Sequence, residues 1–229
     1  MKNKLLLALM LVFASATFAQ NVQLHYDFER EHFTSTVEMF KPDNWGNTFF
    51  FIDMDYNGPS SGVSLAYWEI ARELKFWDAP ISAHIEFDGG LISGVGSIGN
   101  AYLAGPSYSY NASDFSYGIT LMALYKYIAL TPTDKPHNFQ LTAVWYWNMF
   151  NNKLTFSGFA DFWKEDHTVS LDGFVEDFQS SSYIFLSEPQ IWYNATKNFS
   201  VGSEIELSND FGGIPGFKVR PTVACKWTF

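Results

Sequence analysis

The stretch GFKVRPTVACKWTF, residues 216–229, decides the fold. From Phe217 onward, alternate positions read Phe217, Val219, Pro221, Val223, Cys225, Trp227 and Phe229, and the positions between them read Lys218, Arg220, Thr222, Ala224, Lys226 and Thr228. Successive strand side chains point to opposite faces, so this is a strand with one oily and one wet side. The pattern holds to the final residue, where chains ordinarily fray. An end built this way belongs inside a larger sheet.

The other end carries an export signature. MKNKLLLALMLVFASATFAQ places Lys2 and Lys4 before an apolar run from Leu5 to Phe13, and Thr17-Phe18-Ala19 suits signal-peptidase cleavage before Gln20. The expectation is that residues 1–19 are a cleaved signal peptide and that 20–229 form a single domain. The apolar run is well short of the ~20 residues that cross a bilayer as a helix. No later segment combines sufficient length with freedom from charge.

Composition narrows the class. Aromatic residues make up 19% of the chain and charged residues 17%, whereas a soluble domain carries about 25% charged residues. Removing Lys2 and Lys4 from the 14 basic residues leaves 12 against 24 acidic ones, so the mature chain is strongly negative. Nucleic acid is a poor partner for such a surface. Cys225 is the single cysteine and can form no internal disulfide, so stability must come from another source. No cofactor is expected.

Along the mature chain, period-two alternation recurs between turn residues. Strands are predicted near 22–29, 33–40, 48–56, 63–75, 80–90, 101–110, 116–128, 138–148, 153–164, 182–193, 199–208 and 217–229. The connections alternate in length, except that the first outer one, around Glu29 to His32, is as tight as an inner turn. KPDNWGN (41–47), WDAP (77–80), NASD (111–114), FNN (150–152) and NATKN (194–198) are short, while residues 89–100, 130–137, 165–181 and 208–216 are long. Short periplasmic turns and longer outer loops are the habit of outer-membrane barrels. In hydrocarbon every backbone amide needs a partner, so strands span only as a closed ring. The predicted fold is all-β: a transmembrane antiparallel up-and-down β-barrel of twelve strands in the bacterial outer membrane.

The competing fold is a secreted β-sandwich, which also alternates. Pro106, Pro189 and Pro221 favour it, because each falls inside a predicted strand and removes a ladder donor. The scarcity of charge argues the other way, since a sandwich must keep a polar outer surface.

With the apolar set outside, the complementary set lines the lumen. It includes Gln23, His25, Asp27 and Glu29, then Thr34, Thr36, Glu38 and Phe40, then Phe49, Phe51, Asp53 and Asp55. Ser82, His84, Glu86 and Asp88 follow, with Thr155, Ser157, Phe159, Asp161 and Trp163, and finally Glu204 and Glu206. Lys218, Arg220 and Lys226 are among the few positive groups. Aromatic faces can stack a planar base or a sugar ring, and carboxylates accept hydrogen bonds while repelling phosphate. The alternative role for these acids and bases is to pair across the interior and fill it. His84, Glu86 and Asp88 share one face and could form an acid/base cluster. No Gly-x-Ser-x-Gly, His-Glu-x-x-His or paired Cys/His spacing accompanies them, so an enzyme is not expected.

VEMFKPDNWGNTFFFIDMDYN (37–57) places an acidic residue before an aromatic one, then a tight turn with Trp45, then an aromatic and acidic strand. It resembles the early hairpin of the Tsx-type nucleoside-specific channel-forming outer-membrane proteins. LAYWEIARELKF (65–76), NNKLTFSGFADFWKED (151–166) and the terminal strand fall in the order of that family. The resemblance covers most of the mature chain in layout and these patches in residue detail, with shorter loops. It implies a narrow twelve-stranded barrel that passes nucleosides. The lumen residues it points to are Glu38, Phe49, Phe51, Asp53, Asp55, Glu69, Phe159, Asp161 and Trp163. The partners it implies are nucleosides or similar small polar solutes, outer-membrane lipid and, during biogenesis, the barrel-assembly machinery. A structural or adhesive barrel with a plugged lumen is the alternative. WEIARELKF breaks clean alternation and leaves Arg72 and Glu73 without an assigned face.

Overall fold

A computed structural model describes residues 19–58, 60, 62–129, 136–165 and 182–229. Residues 1–18 of the predicted signal peptide (1–19), and most of the long connections at 130–137 and 165–181, lie outside the described residues. The strands are β1 (Ala19–Asp27), β2 (His32–Asp43), β3 (Gly46–Asp55), β4 (Leu65–Leu74), β5 (Ile81–Ile92), β6 (Gly96–Ser97) and β7 (Ala101–Asn111). They continue with β8 (Tyr117–Ile128), β9 (His137–Met149), β10 (Leu154–Glu165), β11 (Ser182–Ser187), β12 (Gln190–Asn194), β13 (Phe199–Asn209) and β14 (Phe217–Thr228).

Strands neighbouring in sequence pair antiparallel around the sheet, and β14 pairs with β1 from Asn21↔Thr228 to Asp27↔Thr222, which closes the ring. β6 only folds back on β5, and β11 and β12 lie end to end between β10 and β13, so the ring has twelve staves. Among the described residues no helix is long and apolar enough to cross a membrane.

Directly paired residues share a face of the sheet, so the registers assign inside and outside throughout. Gln23, His25 and Asp27 are buried on the inner face, while Val22 and Leu24, either side of Gln23, are exposed. The outer face continues through Ile85, Leu121, Leu141, Ile191 and Val223, all exposed. A ring of exposed apolar side chains this extensive suits hydrocarbon and has no place on a water-facing sandwich. Outward aromatics cluster at both ends. Tyr110 meets Tyr117, and Trp145 meets Phe156, at the end of the short turns; Phe162 stacks on Tyr183, and Tyr102 meets Tyr127, at the other. These are two interface girdles.

The three prolines are accommodated without a change of register. Ile205↔Pro221 and Gly202↔Ala224 keep one register, and the gap between them is bridged by side chains: the Glu204 N–H donates to Thr222 Oγ1 at 3.1 Å, and Ser203 Oγ donates to the Thr222 carbonyl at 2.6 Å. Pro106 faces outward in a similar gap between Ala104↔Tyr125 and Ser107↔Met122. Pro189 marks the break between β11 and β12, where Gly158 opposes it with φ +154°; a Cβ there would stand 2.5 Å from the Glu188 carbonyl oxygen. Only glycine permits that approach.

The β2–β3 turn is tighter than the sequence implies. Lys41, Pro42 and Asp43 pair with Thr48, Asn47 and Gly46, which leaves Asn44-Trp45 as a two-residue turn. Arg72, paired with Thr48, points outward at this end and grips Asp43 through both Nη atoms at 2.6 and 2.8 Å. Glu73 is buried on the inner face and pairs with His84.

Candidate functional site in the lumen

All nine side chains singled out from the sequence lie on the inner face. The rows Glu38↔Phe51↔Glu69 and Thr36↔Asp53↔Tyr67 run across β2–β4, with Phe49 and Asp55 two residues either side of this pair of rows on β3. Phe159, Asp161 and Trp163 project from β10 opposite Val144, Thr142 and Gln140 of β9. The two groups are set apart around the ring. Four staves (β5, β7, β8 and β9) separate β4 from β10 on one side and six on the other.

The inner wall is uneven in accessibility. Inward side chains of β1, β5, β7, β8 and β14 are largely buried, among them Gln23, His84, Leu103, Lys126 and Thr222. Those of β3 and β4 (Phe49, Phe51, Asp53, Asp55, Tyr67, Glu69) and of β9 and β10 (Thr142, Tyr146, Phe159, Asp161) stay partly accessible, and inward-facing Val144 is 39% exposed. Accessible interior surface therefore lies along two sectors that face one another; seven of the nine singled-out residues are on them, and the partly accessible Glu38 adjoins the first from β2.

The accessible sector at β3–β4 joins aromatic and acidic groups. Phe49, Phe51 and Tyr67 form a ladder with centroids 6.0 and 5.9 Å apart. Thr36 Oγ1 donates to Asp53 at 2.5 Å, Thr34 Oγ1 to Asp55 at 2.6 Å, and the Tyr67 hydroxyl to Glu69 at 2.7 Å. Asn21 Nδ2 donates to Glu38 at 2.8 Å. One donor on each carboxylate fixes its rotamer and leaves acceptor capacity for a solute.

The buried seam at β13–β14–β1 is saturated. Asp27 accepts from the Glu29 and Arg30 backbone N–H groups and from Arg30 Nε, at 2.7, 2.7 and 2.6 Å. Arg220 donates to Glu206 at 2.6 Å and Glu29 at 3.0 Å, and Arg30 lies 3.3 Å from Glu206. Trp192, fully buried, donates to Gln190 at 2.8 Å and carries the Lys226 ammonium 3.9 Å above its ring. These groups close the barrel and offer little to a solute.

Trp163 on β10 is likewise covered, by other partners. It is 6% exposed, donates to Glu165 at 2.7 Å, lies under the Lys126 ammonium at 4.5 Å and meets the edge of Phe211 at 6.0 Å. His84 is also committed, its two ring nitrogens 2.7 Å from Glu73 and 2.9 Å from Glu86. With neither nitrogen free, it is a clamp between carboxylates and not an acid/base group open to a solute. Tyr67 and Val144 were missed by sequence reasoning. Fixing Trp68 as outward would have placed Tyr67 inside by simple alternation.

Glu69, Glu86 and Asp88 each present an oxygen within 4.8 Å of the others. This is the one group among the described residues with the density of ligand atoms that a metal ion requires.

Closed topology, an apolar outer belt, aromatic girdles and a polar interior together define a transmembrane β-barrel of the bacterial outer membrane. The chain belongs to the DUF5020 family, described as a domain of unknown function, whose model matches residues 19–229. No curated protein matches it by sequence. Among solved structures it is similar to the NanC porin, at 9% identity with a TM-score of 0.60, covering 92% of this chain and 100% of that one. It is likewise similar to the KdgM porin, at 12% identity with a TM-score of 0.53, covering 92% and 99%. At such identities the likeness is one of fold: that of a small outer-membrane porin.

Proposed function

We propose that this barrel is a passive outer-membrane channel for small neutral polar solutes, with nucleosides the class that suits it best. The observation that carries the reading is the accessible sector in which Phe49, Phe51 and Tyr67 stand beside Glu38, Asp53, Asp55 and Glu69. A base can stack on the rings while ribose hydroxyls and exocyclic amines donate to the carboxylates. Phe159 and Asp161 repeat the pairing on the facing wall, with Trp163 in a supporting place behind them. A phosphate is disfavoured along the same path. The resemblance of residues 37–57 to the early hairpin of the Tsx-type channels supports the choice of solute. Lipid around the outer belt, and assembly machinery acting on the terminal strand, are the partners this reading requires.

The test is uptake into proteoliposomes. Uridine should enter faster than uridine monophosphate, and saturably. Equal entry of both would remove the electrostatic argument. The buried inner face of β1, β7, β8 and β14 favours a second reading, a plugged structural barrel, and entry of neither solute through correctly inserted protein would establish it.

A further inference from the structure

We infer that Glu69, Glu86 and Asp88 form a binding site for a hard divalent cation, Ca2+ foremost, on the inner wall at β4–β5. The three residues come together because Glu69 pairs directly with Asp88 and Glu86 lies two residues before Asp88 on the same inner face. Their oxygens lie within 4.8 Å of one another, the span open to ligands on opposite sides of a Ca2+ ion bonded at about 2.4 Å.

A group of acids alone would prove nothing, but Asp88 adds an independent mark. It is 5% exposed, and its Oδ1 is a buried atom with no hydrogen-bond partner. An unpaired carboxylate oxygen away from water is costly unless something positive completes it. The protein does not supply that charge at bonding distance. Glu69 accepts from the neutral Tyr67 hydroxyl, and Glu86 shares His84 with Glu73. The nearby Lys126 donates to Gln140 at 2.7 Å and is held over Trp163. Among the described residues, no arginine or lysine pairs with any of the three carboxylates.

The ligand set is all oxygen and carries up to three negative charges, which selects a hard cation over a soft one. Two of the carboxylates are on the partly accessible side of the wall, so the ion could enter from the lumen and keep water in its remaining positions. An ion there would also cross-link β4 to β5.

Terbium luminescence tests this on the folded barrel in detergent, without any transport step, so its outcome is separable from that of the channel reading. Tyr67 is bonded to Glu69 and would sensitise a bound Tb3+. Excitation at the aromatic band should give terbium emission that Ca2+ displaces, with calorimetry of Ca2+ itself giving about one ion per barrel. Asp88→Asn and Glu69→Gln should each weaken Tb3+ binding by tenfold or more, while Asp114→Asn, in an exposed turn, should leave it unchanged. Absence of Ca2+-displaceable emission from wild-type protein would overturn the site. So would wild-type Tb3+ affinity in a folded Glu69→Gln or Asp88→Asn barrel.

Discussion

Replacing Asp53 and Asp55 with asparagine tests the electrostatic selectivity most directly. Both project into the lumen from β3, and each accepts from a threonine of β2, at 2.5 and 2.6 Å. Asparagine retains an acceptor oxygen, so the charge is lost while the bond to Thr36 or Thr34 can persist. A monophosphate carrying about two negative charges, passing about 8 Å from one carboxylate, meets about 1 kcal/mol of repulsion with water-like screening and about 4 kcal/mol at an effective dielectric near 20. On the lower figure, the double variant recovers about 2 kcal/mol, or roughly thirtyfold in the ratio of nucleotide to nucleoside flux. Added salt should erase the wild-type discrimination, because the Debye length falls from about 30 Å at 0.01 M to about 3 Å at 1 M. The assay is paired uptake of uridine and uridine monophosphate into proteoliposomes at both ionic strengths. A double variant whose low-salt flux ratio stays within about twofold of wild type would refute the reasoning.

Three further outcomes follow from particular contacts. Phe51→Ala breaks the ladder between Phe49 and Tyr67; half-saturation by uridine should rise about fivefold or more, since base–aromatic stacking contributes about 1–3 kcal/mol, and an unchanged value would move the stacking site elsewhere. Deleting Trp227 to Phe229 removes the Val22↔Trp227 and Asn21↔Thr228 pairs and the bond from the Phe229 N–H to the Gln20 carbonyl, so membrane assembly should fail; normal insertion of that variant would count against the terminal strand as an assembly signal. Arg220→Met leaves buried Glu206 with Arg30 as its one remaining cation, beside the Ser208 hydroxyl, and should lower stability in urea titrations of lipid-embedded protein by about 3 kcal/mol, part of which Glu206→Gln restores in the double variant. Equal loss in the single and double variants would show that the ion pair is not the cause.

The architecture was legible because a barrel converts a one-dimensional alternation directly into inside and outside. Each strand's odd or even set reappears as a wall, from Gln23-His25-Asp27 on β1 to Thr155-Ser157-Phe159 on β10. Ends were harder. Lys41-Pro42-Asp43 has the composition of a turn, yet its pairing to Gly46-Asn47-Thr48 extends the hairpin. The prolines looked like breaks because a sequence shows the missing donor and not the Thr222 hydroxyl, which accepts from the Glu204 N–H and donates to the Glu204 carbonyl across the neighbouring gap to β13. WEIARELKF hid its alternation because a small residue, Ala71, faces inward and Arg72 faces outward where Asp43 neutralises it.

The candidate site was legible as to face but not as to access, because access depends on partners from distant parts of the chain. Trp163 and Phe159 are equivalent by alternation, yet Lys126 and Phe211 cover the first and not the second. The same pairing logic shapes the whole interior. Arg30 and Arg220 are tied to Asp27, Glu29 and Glu206, while Lys126 and Lys226 are each held over an indole. Positive charge is thus concentrated on, or packed into, the filled parts of the wall. Asp53, Asp55, Glu69 and Asp161 are left on the accessible parts with hydroxyl donors instead of cations. A solute following the accessible surface therefore meets rings and carboxylates together. This separation of charge, beyond the chain's overall acidity, is what would let a lumen containing several bases still exclude phosphate.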